Sequence, residues 1–171
     1  LIEFIFKNSA ADFFEKIEKE ASLNGYKVRM LNGTILEPVR KSIINDLKER
    51  TENNEKSKMI LVSTQVVEAG VDLDFDLGFK DTSILDSDEQ LAGRINRNAS
   101  KNGCKVFLFN YNDEYRVYGS DYRYKMQKQE LDKDKYKDIL KTKNFNKFYK
   151  ETFNFINELN KSESRYGFFD Y

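Results

Sequence analysis

The chain has 171 residues, the length of one domain or of one domain with an appendage, and its 39% apolar and 34% charged composition, with 14 Phe and 10 Tyr to bury, excludes a disordered chain. Lysine plus arginine and aspartate plus glutamate both total 29, which excludes a globally basic nucleic-acid binder but not a local basic face. One cysteine and no histidine exclude an internal disulfide framework, histidine metal sites, histidine general bases and serine–histidine–aspartate triads.

Leu1 to Lys7 reads as a mostly apolar strand, buried on both faces. The chain opens inside this run, as a piece of a larger protein would. Asn8 and Ser9 offer helix caps, and Ser9 with Asp12 three residues on fits a capping box. Phe13, Phe14, Ile17 and Ala21 follow at helical spacing, and Gly25 stops that helix. Tyr26 to Leu31 reads as a second strand, and Asn32-Gly33 turns the chain. Pro38 suits the first turn of a helix whose stripe is Val39, Ile43, Ile44 and Leu47. Glu49 to Lys58 is polar enough for a surface loop.

Met59 to Val62 predicts a buried strand and Phe75 to Phe79 another. A helix is expected from about Ser87 through Arg97, and a last strand over Lys105 to Asn110. The alternation over 1–110 implies a parallel sheet with helices on both faces, and in such sheets ligands bind beyond the carboxyl ends of the strands. Composition changes after Asn110. Residues 111–124 are polar and tyrosine-rich, and residues 125–150 hold nine lysines against four acids. Phe145, Phe148, Phe153, Ile156 and Leu159 predict a helix around 143–160, so residues 111–171 form a mostly helical tail. The lysine-rich stretch is first a solvated helix face, though its interleaved aromatics suit a nucleic-acid backbone. No apolar run reaches the length of a membrane span, and no signal peptide is visible.

Two segments carry chemistry. In Ser63-Thr64-Gln65-Val66-Val67-Glu68-Ala69-Gly70-Val71-Asp72, a hydroxyl pair at a strand end precedes Gly-x-Asp. Thr64 can offer its hydroxyl and N–H to a phosphate. Gly70 allows close backbone approach, and Asp72 can accept from a ribose or pair with an arginine. In Gln90-Leu91-Ala92-Gly93-Arg94-Ile95-Asn96-Arg97, two arginines three apart would share one face of a helix and could clamp a polyphosphate. Gly93 leaves room beside them. Asp74 and Asp76 alternate with Leu73, Phe75 and Leu77, which reads as a strand with one polar face rather than a metal site.

Together the two segments resemble motifs V and VI of superfamily 2 helicases. The string from Ile60 through Asp76 to Arg97 is similar to the CRISPR-associated helicase-nuclease of type I systems. The resemblance covers residues 1–110, read as the second RecA-like lobe, and fades over 111–171. It implies a cytoplasmic, ATP-dependent helicase lobe that translocates single-stranded DNA in CRISPR defence. Its partners would be the N-terminal RecA-like lobe and the CRISPR surveillance complex, with no membrane.

By the same resemblance Arg97 is the arginine finger, Arg94 a second phosphate or inter-domain contact, and Gln90 couples nucleotide to the lobe interface. Gly70, Asp72 and Gly93 lie on the nucleotide side. Thr64 and Ser63 touch the nucleic-acid backbone, as do Asn8, Ser9 and Thr34 in the loops after the first two strands. Leu91 departs from the related helicases, where arginine is frequent, and removes one arginine interaction. No Gly-x-x-x-x-Gly-Lys-[Ser/Thr] loop and no acidic box is present, so the ATP phosphates and Mg²⁺ are expected to be gripped by the other lobe. Two alternatives remain open: the lobe of another superfamily 2 RNA or DNA helicase, and a non-enzymatic nucleic-acid-binding module.

Overall fold

The computed structural model describes residues 1–52, 58–68 and 72–166. They divide into two compact units, Leu1–Glu114 and Tyr115–Tyr171. The first unit carries five strands: β1 (Ile2–Glu3), β2 (Tyr26–Leu31), β3 (Lys58–Ser63), β4 (Leu77–Asp81) and β5 (Lys105–Phe109). They form one sheet in the order β2-β3-β1-β4-β5, and every pairing is parallel. Three helices belong to it: α1 (Lys7–Leu23), α2 (Glu37–Glu52) and α3 (Leu85–Ala92). With the helices of the second unit this is the RecA-like α/β fold expected from the alternation of elements.

Strand order and the right-handedness of parallel crossovers distribute the helices. β1 to β2 runs one way across the sheet, while β2 to β3, β3 to β4 and β4 to β5 run the other way. Neighbouring residues of β3 show the two faces. Leu61 packs with Leu31 of β2 and with Ile43, Leu47, Val67 and Leu91 from α2, the loop after β3 and α3. Val62 packs on the opposite face with Phe4, which follows β1, and with Ala10, Phe13 and Ile17 from α1.

Several boundaries differ from expectation. The first strand is only Ile2–Glu3, because the chain turns after Phe4 and enters α1 at Lys7. Phe6 stands at the N-cap and no side chain caps the helix, so the Ser9 capping box does not form. The Ser9 hydroxyl instead donates to Asn112 Oδ1 at 2.7 Å. Asn8 and Ser9 therefore lie in the first turn of α1, not in a loop. Gly25 ends α1 with φ +77°, as its position predicts. Pro38 is the second residue of α2, which runs on to Glu52 and absorbs the start of the expected loop. Residues 53–57 lie outside the described residues.

β4 sits two residues later than expected. Phe75 instead makes an isolated parallel bridge with Ile95. The consequence for the helix before it is large. α3 ends at Ala92, and the chain turns through Gly93 and Arg94 so that Ile95 bridges Phe75, with Phe75 N–H donating to Arg94 O and the left-handed Asn96 N–H to Phe75 O, both at 2.9 Å. The expected helix through Arg97 is thus cut short by a tertiary bridge. Gly78 makes this approach possible: a Cβ there would meet Ile95 Cγ1 at 2.9 Å and Leu91 Cδ2 at 3.0 Å.

The second unit holds α4 (Tyr115–Tyr118), α5 (Tyr122–Glu130), α6 (Lys133–Thr142) and α7 (Asn146–Tyr166). Asp121 caps α5 by accepting from Arg123 N–H, and Asp132 caps α6 by accepting from Asp134 and Lys135 N–H. Two of its lysines lie over rings, Lys125 over Tyr122 at 4.9 Å and Lys128 over Tyr124 at 5.3 Å. No helix among the described residues is long and apolar enough to cross a membrane.

Candidate functional site

Ser63 and Thr64 lie at the carboxyl end of β3 and Thr34 beyond that of β2, whereas Arg94 and Arg97 follow α3 beside residues 72–75, which lead into the amino end of β4. Ser63 closes β3 and is fully buried. Its hydroxyl donates to Leu31 O at 2.6 Å, tying β3 to the neighbouring strand. Thr64 follows in extended conformation at the N-cap of a short 3₁₀ turn, Gln65–Val67, and its hydroxyl makes no cap bond. Its N–H donates to Leu31 O at 3.3 Å. At the end of β2, Asn32 Oδ1 accepts from Thr34 N–H at 3.0 Å and from Thr34 Oγ1 at 2.8 Å. This is an Asx turn that fixes the Asn32-Gly33 reversal. Thr34 is exposed there.

The arginines do not share a helical face. Arg94 folds back onto the 3₁₀ turn, where Nε donates to Val67 O at 3.2 Å and Nη2 to Glu68 O at 2.6 Å. Partial burial and the neighbouring Arg97 charge push its pKa down, and Asp72 opposes them. Arg97 is more exposed. Its Nε pairs with Asp72 Oδ1 at 2.8 Å, and its backbone N–H donates to Asp74 Oδ1 at 3.0 Å. The two segments singled out in the sequence therefore touch twice, through Arg94 to Val67 and Glu68 and through Arg97 to Asp72. Gln90 is exposed on the last turn of α3, and Gly93 terminates that helix in right-handed conformation. Gly70 lies outside the described residues. Asn8 and Ser9, on α1, belong to the opposite face of the sheet from α3.

Asp74 and Asp76 flank the Phe75 bridge rather than lying in a strand. Lys101 Nζ reaches both, at 3.4 and 3.0 Å. Their charge is thus matched by a lysine. No group of three metal-ligating side chains occurs among the described residues.

Sequence reading passed over a buried ionic cluster beneath this site. Lys80 on β4 and Glu3 on β1 are both fully buried, and the Lys80 ammonium donates to Glu3 Oε1 and, at 3.1 Å, to Glu68 Oε1. The Ser87 hydroxyl of α3 donates to the same Glu68 oxygen. Beside it, Ser83 Oγ donates to Asp88 Oδ1 at 2.7 Å. A sequence signal existed: Glu3 is the one charge in the run Leu1–Phe6, and Lys80 follows directly on the expected strand Phe75 to Phe79. A lone acid and a lone base in two buried strands suggest a pair.

Two carboxylates face one ammonium here, so a full set of charges would leave one negative charge buried. Burial pushes the Glu3 carboxyl up to about 8, against the pull of Lys80. Glu3 therefore holds a proton in the folded chain that it releases near 4.5 when unfolded. Between those values the folded state binds more protons, so this contribution to stability is complete below about 4.5 and lost as pH rises through about 8. The melting temperature of the parent relative to Glu3→Gln is accordingly expected to fall by several degrees between pH 5 and 8, as thermal denaturation across that range would read. A constant difference would refute the protonated carboxyl.

Comparison with known proteins follows this geometry. Residues 7–100, more than half of the chain, match the family model described as CRISPR-associated nuclease/helicase Cas3, C-terminal. A protein of Methanothermobacter thermautotrophicus named CRISPR-associated nuclease/helicase Cas3 is 39% identical over 71 residues, 42% of this chain and 8% of that protein. The chain thus aligns with only a small part of the length of that relative. Among solved structures, T. fusca Cas3-ADP superposes with a TM-score of 0.61 at 16% identity, over 97% of this chain and 22% of that one. A chain of a CRISPR RNA-guided surveillance complex, pre-nicking, gives a TM-score of 0.58 at 15% identity, over 97% and 24%. At such identities these structures show a shared fold.

Proposed function

Because the chain belongs to the family of the CRISPR-associated nuclease/helicase Cas3, C-terminal, we propose that it is the second motor lobe of an ATP-dependent helicase. In this reading the enzyme translocates along single-stranded DNA in the cytoplasm, in CRISPR antiviral defence. The observation that carries it is the double contact between the Thr64–Asp72 segment and the Arg94–Arg97 segment. One segment closes β3 with the buried Ser63 and Thr64 and carries the exposed Asp72. The other holds a half-exposed arginine beside it.

The chain's residues fit one side of a nucleotide site. Among the described residues the Arg97 side chain has an exposed carboxylate as its one ion partner, and trading that pair for a phosphate costs little. Arg97 is then the finger that stabilises the charge spread over the transferring phosphoryl group, with Arg94, Gln90, Gly93 and Asp72 as the other members of the nucleotide side. The phosphate loop and the Mg²⁺ ligands belong to the N-terminal RecA-like lobe. Closure of the two lobes on ATP is a population shift driven by contacts made only in the closed state. Thr34, exposed after β2, follows the DNA backbone; Ser63 and Thr64 are buried and shape the strand end beside it, and Asn8 and Ser9, on the other face of the sheet, are not part of that contact. A CRISPR surveillance complex delivers the DNA.

Two results test this reading. The 171-residue chain alone is expected to hydrolyse no ATP above background in a phosphate-release assay, since it supplies the finger but no phosphate loop; sustained turnover by the pure chain would refute the division of labour. The intact parent protein is expected to be stimulated by single-stranded DNA and not by RNA. Stimulation by RNA alone would move the chain to another superfamily 2 motor, and stimulation by neither would leave a binding module.

A further inference from the structure

The buried cluster and the exposed site share one residue. Glu68 offers its main-chain oxygen to Arg94 at 2.6 Å and its carboxylate to Lys80 and Ser87. The two ends of Glu68 thus face different ways, one into the sheet and one toward the arginines. Val67, which accepts the other Arg94 bond, is fully buried. Nothing else among the described residues accepts from the Arg94 guanidinium. Its place is therefore set by the backbone of Val67 and Glu68.

That backbone is a single 3₁₀ turn, three residues long, with little internal hydrogen bonding to hold it. Its last carbonyls stay where they are because the Glu68 side chain is pinned. Lys80 pins it from the centre of the sheet, where the ammonium has no water and two carboxylate partners. Ser87 pins it from the first turn of α3, the helix that leads into Gly93 and Arg94. A closed ring results: α3 to Ser87, Ser87 to Glu68, Glu68 to Arg94, and Arg94 back to α3. Such a ring fixes where α3 delivers its C-terminal end relative to the end of β3. A hydrogen bond to a charged group held out of water is strong enough to decide between two placements of a short turn.

We propose that Ser87 and Lys80 act through the Glu68 carboxylate as positioning residues for Arg94, so that a hydroxyl and an ammonium that never meet nucleotide set the geometry of the arginine pair. Ser87 is the residue on which this can be read, because its removal leaves the Lys80 ion pairs in place. The proposal rests on the motor reading above, since its readout is ATP turnover.

The test is a double-mutant cycle in the intact parent helicase, with saturating single-stranded DNA. Ser87→Ala and Glu68→Gln are each expected to lower kcat about tenfold while KM for ATP stays within about twofold, the size of one lost hydrogen bond to a charged group. Ser87→Thr, which keeps the hydroxyl, should restore turnover. Ser87→Ala combined with Arg94→Ala should be no worse than Arg94→Ala alone, because both remove the same placement. Independent, multiplying losses would overturn the positioning role, as would a Ser87→Ala enzyme with unchanged kcat, or one in which only KM rises. If Arg94→Ala itself leaves turnover intact, the assignment of the arginines falls and the positioning role falls with it. If Arg94→Ala is inactive but Ser87→Ala is not, the positioning role alone is lost.

Discussion

Replacing Arg97 with alanine in the intact helicase is expected to lower ATP turnover by about 10³-fold or more while leaving ATP affinity within a few-fold of the parent. The expectation comes from how loosely its side chain is held. Arg97 is anchored through its backbone N–H to Asp74, while its guanidinium rests on an exposed aspartate. Exposed pairs of this kind are worth about 0–1 kcal/mol, so the side chain can leave Asp72 for a more highly charged group without penalty. A residue fixed at its backbone and free at its tip suits a contact made only in the transition state. Such a contact raises kcat and leaves ground-state binding unchanged. Steady-state kinetics with an independent measure of ATP affinity decides the matter. Turnover by Arg97→Ala near the parent rate would remove the finger assignment.

Replacing Lys80 with methionine is expected to destabilise the fold by about 3–5 kcal/mol, a drop of roughly 10 °C or more in melting temperature. The volume is nearly conserved, so the loss is electrostatic. Glu3 and Glu68 would face each other without the ammonium between them, and Glu3 Oε2 already has no hydrogen-bond partner. Adding Glu3→Gln should recover little of the loss, because the protonated Glu3 is already neutral and the charge left without its partner is Glu68. A Lys80→Met chain as stable as the parent, measured by thermal or urea denaturation, would mean the cluster is not held together by charge.

Much of the fold could be read from local signals because those signals are strong. Gly25 and Asn32-Gly33 sit at reversals that need them, Pro38 opens α2, and the apolar runs at 26–31 and 59–62 became adjacent parallel strands. What could not be read was set by partners distant in sequence. Arg94 to Asn96 continue a helical pattern, yet the bridge between Ile95 and Phe75, twenty residues earlier, draws them off the helix through a turn that ends in the left-handed Asn96. Ser9 looks like a cap, but Asn112 claims its hydroxyl. The site was legible as two segments. That they would meet through backbone carbonyls rather than through a shared helical face was not, since periodicity does not record where a guanidinium turns. Lys80 and Glu3 escaped for the same reason: each is an ordinary exception in its own strand, and only their pairing across neighbouring strands gives them meaning.

The order of strands bears on how the lobe comes to be. β1 is made first among the five and ends in the middle of the sheet, where Ile2 aligns with Val62 on one side and Phe79 on the other. A ribosome must therefore deliver some sixty further residues before that strand meets its first neighbour, and nearly eighty before it meets both. Closing loops of that size comes before any hydrogen bond rewards it, so the nascent segment waits unpaired while α1 can already wind. The central seat is thus held by a strand that waits for both its neighbours, and the edge strand β5 is the last to be added.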